Sequence, residues 1–296
     1  MFNQMTRTAF PVRHWSLVGH AGTGKSTFAT QMQGPKLVID ADHRFSELLF
    51  RDSGVVYQLS ETPSDNVDPE RIHAILLKDM PGAGVRTIVV DSLTSIITPY
   101  VVQAMRDGEQ GRLRSKMAGF QRKALAMRQL QDAVSRWGTN TLWIYHLQDA
   151  HDAQANAVVR STVSQTEVAR LTRSLNVQLQ IVVDGQRRGM HVAWARRGRS
   201  GMTLWDESGC WQGMPARIEA AIYDGLSPAQ QDAIARRCPT VFPSTEHALS
   251  WGVEQGAFAS IEAARRCYVA LKSDTAPKTA QEMASLWVTE VRMRKA

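Results

Sequence analysis

Cysteine, long apolar runs and acidic charge are all scarce in this sequence. The 296-residue chain holds three cysteines, Cys210, Cys238 and Cys267. Scattered and odd in number, they fit neither a disulfide framework nor a paired-cysteine zinc site, so disulfide-stapled and zinc-finger classes drop out. No apolar run approaches the ~20 residues that a bilayer requires, and the longest plain apolar strand core is Thr87-Ile88-Val89-Val90. Met1–Phe10 lacks the apolar centre of a signal peptide, so a soluble, cytoplasmic protein with no membrane partner is expected.

What is present is globular. A composition of 43% hydrophobic and 21% charged residues excludes wholesale disorder, and the length suits one large domain with a smaller appendage. Lys and Arg number 35 against 28 Asp and Glu, a net +7, and 27 of the 35 are arginine, whose fork matches phosphate geometry. Residues 106–128 hold seven basic and two acidic side chains, and residues 160–199 hold eight and two, so the rest of the chain sums to −4. A surplus confined to two internal stretches suits a polyanion-binding face; solvated helix faces are the other reading.

His14–Val18 reads as a short strand that enters a glycine-rich turn and then the helix-permissive stretch Lys25–Gln33, stopped by Gly34-Pro35. Further strands are expected at Lys36–Asp40, Gly54–Leu59, Arg86–Asp91 and Thr141–Tyr145, the last terminating at His146. Helices are expected at Pro69–Lys78 and at Lys116–Trp137, where Leu125, Met127, Leu130, Val134 and Trp137 form an apolar stripe. Residues 148–165 are polar, small and without period. Leu175–Val183 and Met190–Ala195 resemble an antiparallel hairpin joined through Asp184-Gly185. The pattern predicts an α/β fold: a mostly parallel central sheet covered on both faces, with a β-hairpin extension. An N-terminal arm at 1–11, a core at 12–212 and a small helical C-terminal domain at 215–296 complete the expected organisation. In that last part Trp251, Phe258, Tyr268 and Trp287 read as core, and ten basic residues against nine acidic imply no autonomous nucleic-acid grip.

Gly19-His20-Ala21-Gly22-Thr23-Gly24-Lys25-Ser26, followed by Thr27, satisfies the phosphate-loop pattern between a predicted strand and a predicted helix. The glycines let backbone N–H groups close around phosphate oxygens, Lys25 adds a cation near the terminal phosphates, and Ser26 offers a hydroxyl to Mg²⁺. Ile88-Val89-Val90-Asp91 is an apolar strand ending in the carboxylate that would hold the magnesium's water shell. Together they imply a nucleoside triphosphate with Mg²⁺, without separating motor, kinase and GTPase. Asp40 and Asp42 emerge at the same sheet edge, where one can orient an attacking water or both can serve the strand exit. His146 is either a γ-phosphate sensor or a satisfied core histidine.

With these residues in place, the chain resembles the RecA-type recombinase core over roughly residues 12–205. Ile39-Asp40-Ala41-Asp42-His43 is similar to the family's Ile-Asp-Ala-Glu-His, and Thr87–Leu93 with Thr98-Pro99 is similar to its magnesium strand and the Thr-Pro beyond. The likeness is greatest to the compact RecA-core ATPases of phages, a group that includes single-strand annealing and recombination proteins. It implies ATP as the nucleotide, single-stranded DNA as a partner, and a homo-oligomer, filament or ring. Asp42 falls at the family's water-polarising glutamate and His146 at its strand-end glutamine; both are departures, and the shorter Asp implies slow hydrolysis. The family's two DNA-binding loops correspond to Arg106–Lys116, with Arg112, Arg114 and Lys116, and to Gln148–Gln165, with Arg160 alone. Neither contains an aromatic for base stacking. Arg196 and Arg199 fall where the family carries cations that reach a neighbour's nucleotide, a basic hairpin exit being the alternative. The implied function is a DNA-binding ATPase of recombination or annealing; the C-terminal part, outside the resemblance, reads as a docking or oligomerisation module that offers a surface to a protein partner. A P-loop switch ATPase acting on a protein without DNA, and a ring helicase motor, remain the alternatives.

Overall fold

A computed structural model describes residues 10–52, 54–109, 116–151, 157–226, 242, 244–275 and 279–295. The chain divides into two compact units, Met1–Gly225 and Leu226–Ala296. The first unit contains β1 (His14–Gly19), α1 (Lys25–Thr30), β2 (Lys36–Asp40), β3 (Val56–Gln58), α2 (Pro69–Asp79) and β4 (Thr87–Asp91). These are followed by α3 (Leu93–Glu109), α4 (Lys116–Ser135), β5 (Asn140–His151), β6 (Ala157–Ser161), α5 (Gln165–Thr172), β7 (Val177–Asp184), β8 (Arg187–Ala195), β9 (Thr203–Trp205) and α6 (Met214–Tyr223). The strands run β3-β2-β4-β5-β1-β7-β8-β9, parallel from β3 to β7 and antiparallel at β8 and β9, with β6 paired to β5 outside this path. This is the α/β architecture implied by the RecA-type resemblance, with the loop-bearing strand inside the sheet.

The apolar runs dictate this burial. Every residue of β2 and β4 is buried, as a strand covered on both faces requires. Alternate side chains serve two cores: Ile39, Ile88, Val90 and Trp143 pack with Ile72, Ile96 and Leu130 on one face. Val38, Val89, Ile144 and Leu17 pack with Phe28, Trp211 and Ile218 on the other. Helix α2 starts where its cap chemistry says, with Asp68 accepting the N–H of Glu70 at 2.9 Å ahead of Pro69.

Four features differ from the sequence reading. Helix α3 was not anticipated, because Pro99 lies inside it and a proline normally ends a helix. Burial of Leu93, Ile96 and Ile97 against the sheet overrides that penalty, so Arg106 is helical and the first expected loop is shorter than Arg106–Lys116. Strand β5 does not terminate at His146 but continues to His151 and pairs antiparallel with β6, so much of 148–165 is a two-stranded ribbon. Leu125 of the expected stripe is exposed, while Met127, Leu130 and Val134 are buried. Finally, position 215 falls inside α6, whose Met214, Ile218, Ile222 and Tyr223 belong to the sheet's core; the division between units comes at 225.

The second unit holds α7 (Thr245–Glu254), α8 (Ile261–Thr275) and α9 (Ala280–Lys295). Trp287 is fully buried at its centre, donating its indole N–H to Ala248 O at 2.7 Å and stacking on Phe258 at 5.2 Å with Tyr268 edge-on. Its aromatics therefore build a core. Among the described residues no helix is long and apolar enough to cross a membrane.

Candidate nucleotide site

β1 ends at Gly19 with β5 on one side and β7 on the other, the inner position at a sheet's C-terminal edge where open α/β sheets bind ligands. The chain then turns through Gly22 (φ 75°) and Gly24 (φ 93°), conformations that favour glycine, into α1 at Lys25. Thr23 Oγ1 donates to His20 O at 2.8 Å and closes the turn internally. The buried ammonium of Lys25 donates to Gly19 O at 3.0 Å and His20 O at 2.6 Å. Burial lowers its pKa, against the pull of Asp91 and Asp42. A flexible stem lets that ammonium exchange carbonyls for phosphate oxygens.

Asp91 is the buried end of β4, level with Asp40 of β2. Burial pushes its carboxyl up to about 7; the Ser26 hydroxyl bond opposes this, the charges of Asp42 and Asp40 add to it, and Lys25 opposes it. A buried carboxylate touching a hydroxyl at the foot of a phosphate loop is a hard, all-oxygen donor set with unbalanced negative charge, and it fits Mg²⁺.

The two carboxylates after β2 divide their roles. Asp40 accepts the backbone N–H groups of Arg44 (3.2 Å) and Phe45 (2.9 Å) and so shapes the turn. That turn is tied to β4 by the Ala41 N–H on Asp91 O at 2.7 Å. Asp42 is thereby presented to the site, where its carboxylate accepts the hydroxyls of Ser92, at 3.3 Å, and Ser95. It lies near enough to Lys25 and His146 to perturb both.

His146 pairs with Gly19 at the last rung between β5 and β1, so it sits where β5 leaves the parallel sheet for the ribbon. Thr94 Oγ1 bonds both its backbone N–H (3.1 Å) and its Nδ1 (3.2 Å), and contacts Thr162 Oγ1 at 2.8 Å. Thr162 N–H in turn donates to His146 O at 3.0 Å. Burial first, then Lys25, lowers the pKa of His146, against Asp42, so its imidazole is neutral at neutral pH.

The structure brings Lys25, Ser26, Asp91, Asp42 and His146 together; it does not bring Arg196 or Arg199 to them. β8 runs antiparallel to β7, so Ala195 lies level with Val177, at the opposite sheet edge. Arg196 is thus about 20 Å from the level of the phosphate loop, counting ~3.3 Å per strand residue. Its guanidinium donates to Thr172, Arg173 and Leu175 carbonyls and caps the end of α5. Arg196→Ala is expected to lower stability by about 1 kcal/mol with nucleotide affinity unchanged, checked by thermal unfolding beside nucleotide titration. Arg160 is exposed on β6, opposite Gln148. Arg112 and Arg114 lie outside the described residues, and Lys116 is the first residue of α4.

The sequence reading missed Ser92, Ser95, Thr94, Thr162, Arg188 and Trp211. The serines and Thr94 directly follow the Asp91 strand, which was a usable signal. Arg188 and Trp211 bond the phosphate loop from 165 and 187 residues away, and no local pattern announces that.

A family model for an AAA domain matches residues 13–203. Among solved structures the chain is similar to a KaiC-like protein from the hyperthermophilic archaeon Pyrococcus horikoshii OT3, at 13% identity over 67% of this chain and 84% of that one, with a TM-score of 0.39. It is also similar to the RadB recombinase, at 14% identity over 66% and 87% of the two chains, with a TM-score of 0.38. No curated protein matches it.

Proposed function

The chain belongs to the AAA domain family, and from that premise we propose that it is a Mg²⁺-dependent ATP hydrolase that assembles on single-stranded DNA, serving recombination or single-strand annealing in the manner of compact phage RecA-core proteins. One observation supports this reading above the others. The residue that faces both Lys25 and Asp42, His146, lies on the strand that continues without interruption into the ribbon bearing Arg160. A change at the terminal phosphate therefore has a short covalent path to a candidate DNA-binding arm.

Lys25 and the backbone N–H groups of the loop hold the phosphates, while Asp42, fixed by Ser92 and Ser95, orients the attacking water and takes its developing proton. Ser26 and Asp91 would hold Mg²⁺, which when bound would neutralise charge on the phosphates. His146 exchanges its hydrogen bonds as the terminal phosphate arrives or leaves, and Thr94 and Thr162 carry that exchange to the start of the ribbon. With Arg196 occupied by α5, the inter-subunit cation of this reading is Arg199, whose side chain is exposed.

Hydrolysis measured with and without single-stranded DNA across protein concentrations, with imaging of assemblies, tests the reading. Stimulation that rises with protein concentration is expected; hydrolysis indifferent to every nucleic acid would move the chain to a protein-directed switch ATPase. Arg160→Glu is expected to weaken single-strand binding and to reduce the slope of log affinity against log salt by about one, measured by anisotropy titration.

A further inference from the structure

Two side chains grip the phosphate loop from outside. Arg188, on β8, donates from Nη1 to Thr23 O at 3.3 Å and from Nη2 to Gly209 O at 2.5 Å, and it pairs with Asp206 at 3.4 Å. Its guanidinium lies 5.2 Å from the ring centroid of Trp211. Trp211, fully buried between β9 and α6, donates its indole N–H to Gly24 O at 3.0 Å and sets its ring edge-on to Phe28 of α1. Trp211 itself holds φ 62°, a left-handed conformation that is uncommon for so large a residue. The buried carboxylate of Asp206 accepts its N–H and that of Ser208, which keeps the turn in this shape.

In a trans peptide the carbonyl and the N–H point in opposite directions. Holding Thr23 O outward with Arg188 therefore turns the Gly24 N–H inward. Holding Gly24 O outward with Trp211, beside the Phe28 N–H that also bonds it at 2.9 Å, turns the Lys25 N–H inward. We infer that Arg188 and Trp211 are positioning residues for the polyphosphate: they preset two consecutive N–H groups toward the phosphate oxygens, and Arg188 adds a cation behind them. A Cβ on Gly24 would meet Arg188 Nη1 at 2.8 Å and Trp211 Nε1 at 2.9 Å, so the glycine serves this close approach as well as the turn. The inference rests on the nucleotide reading of the loop and extends it to a hairpin and a turn far away in sequence.

The test uses the full chain as wild type, Arg188→Ala, Arg188→Lys and Trp211→Phe. Each is titrated calorimetrically with inorganic tripolyphosphate and with a non-hydrolysable ATP analogue, both with Mg²⁺. Arg188→Ala and Trp211→Phe are expected to weaken both ligands by the same factor, about tenfold, since each removes a hydrogen bond that presets a donor. Arg188→Lys is expected to recover part of that loss, because the charge remains and the fork does not. Tripolyphosphate is expected to change the wild-type tryptophan emission, and that change is absent from Trp211→Phe. Should Arg188→Ala fail to fold, the emission change and Trp211→Phe decide the matter alone. Unchanged tripolyphosphate affinity in the variants, or weakening of the nucleotide only, overturns the inference and leaves the nucleotide reading standing. A wild-type chain that binds neither ligand overturns both.

Discussion

Asp42→Asn is expected to reduce steady-state ATP hydrolysis by about 10²–10³-fold while nucleotide affinity stays within about threefold, because the substitution removes the basic charge and keeps the shape. An asparagine oxygen can still accept the hydroxyls of Ser92 and Ser95, so the turn after β2 keeps its anchor. What it cannot do is take a proton from water. Removing a negative charge beside the phosphates does not weaken their binding and can strengthen it, which separates this variant from a loop mutant. Asp42→Glu provides the complementary measurement. If the short side chain limits the rate, the added methylene raises turnover; if Ser92 and Ser95 have fixed the water geometry for an aspartate, turnover falls. Normal turnover in Asp42→Asn would remove Asp42 from the mechanism.

The second large effect concerns Asp91, and it has opposite signs for stability and for activity. Burial pushes the carboxyl from the ordinary aspartate value of 3.8 up to about 7, so the folded state favours the protonated form. Stability is therefore highest below pH 4 as far as this group is concerned, and it declines as pH rises from about 4 to about 7. Above 7 the ionised carboxylate costs about 4 kcal/mol relative to an ordinary one. Asp91→Asn removes that cost: at pH 8 without nucleotide the variant is expected to unfold about 5–10 °C above wild type, with a flatter pH dependence between 4 and 7. Magnesium and nucleotide together are expected to raise the wild-type midpoint and not the variant's, and hydrolysis is lost. Thermal scans at pH 6 and pH 8, with and without Mg-nucleotide, measure all of this. A variant less stable than wild type at pH 8 without ligand would show that burial of the charge is already compensated by Ser26 and Lys25.

Asp91 stands at a strand end and Asp42 two residues beyond one, and strand ends are where sequence was most legible here. An unbroken apolar triplet that ends in a carboxylate, such as Leu37–Ile39 before Asp40 or Ile88–Val90 before Asp91, suits burial on both faces and releases its polar terminus at the sheet edge. The phosphate loop is legible for a related reason: its glycines are fixed by backbone conformation and its lysine by chemistry, and both are local. The ribbon was not legible. Residues 148–165 carry neither strong alternation nor β-branched density throughout, and β6 pairs only because β5 continues past the sheet to offer an edge. Helix α3 was hidden by Pro99, whose local penalty is outweighed by Leu93, Ile96 and Ile97 in the core. Arg196 illustrates a third kind of contact that the sequence does not announce. The α5 carbonyls that this cation caps become visible only when β7 and β8 are laid side by side.

The sequence by itself determined the phosphate loop, the acidic strand end, the α/β class and the division into a large and a small unit, because each depends on backbone preferences or on burial patterns that act over a few residues. Tertiary structure alone decided that Asp40 is spent on the backbone N–H groups of Arg44 and Phe45, that His146 stands at the junction of sheet and ribbon, and that Arg188 and Trp211 brace the loop. Those assignments depend on strand register and on packing between segments distant in the chain, and a hydrogen bond across 187 residues leaves no trace in local composition.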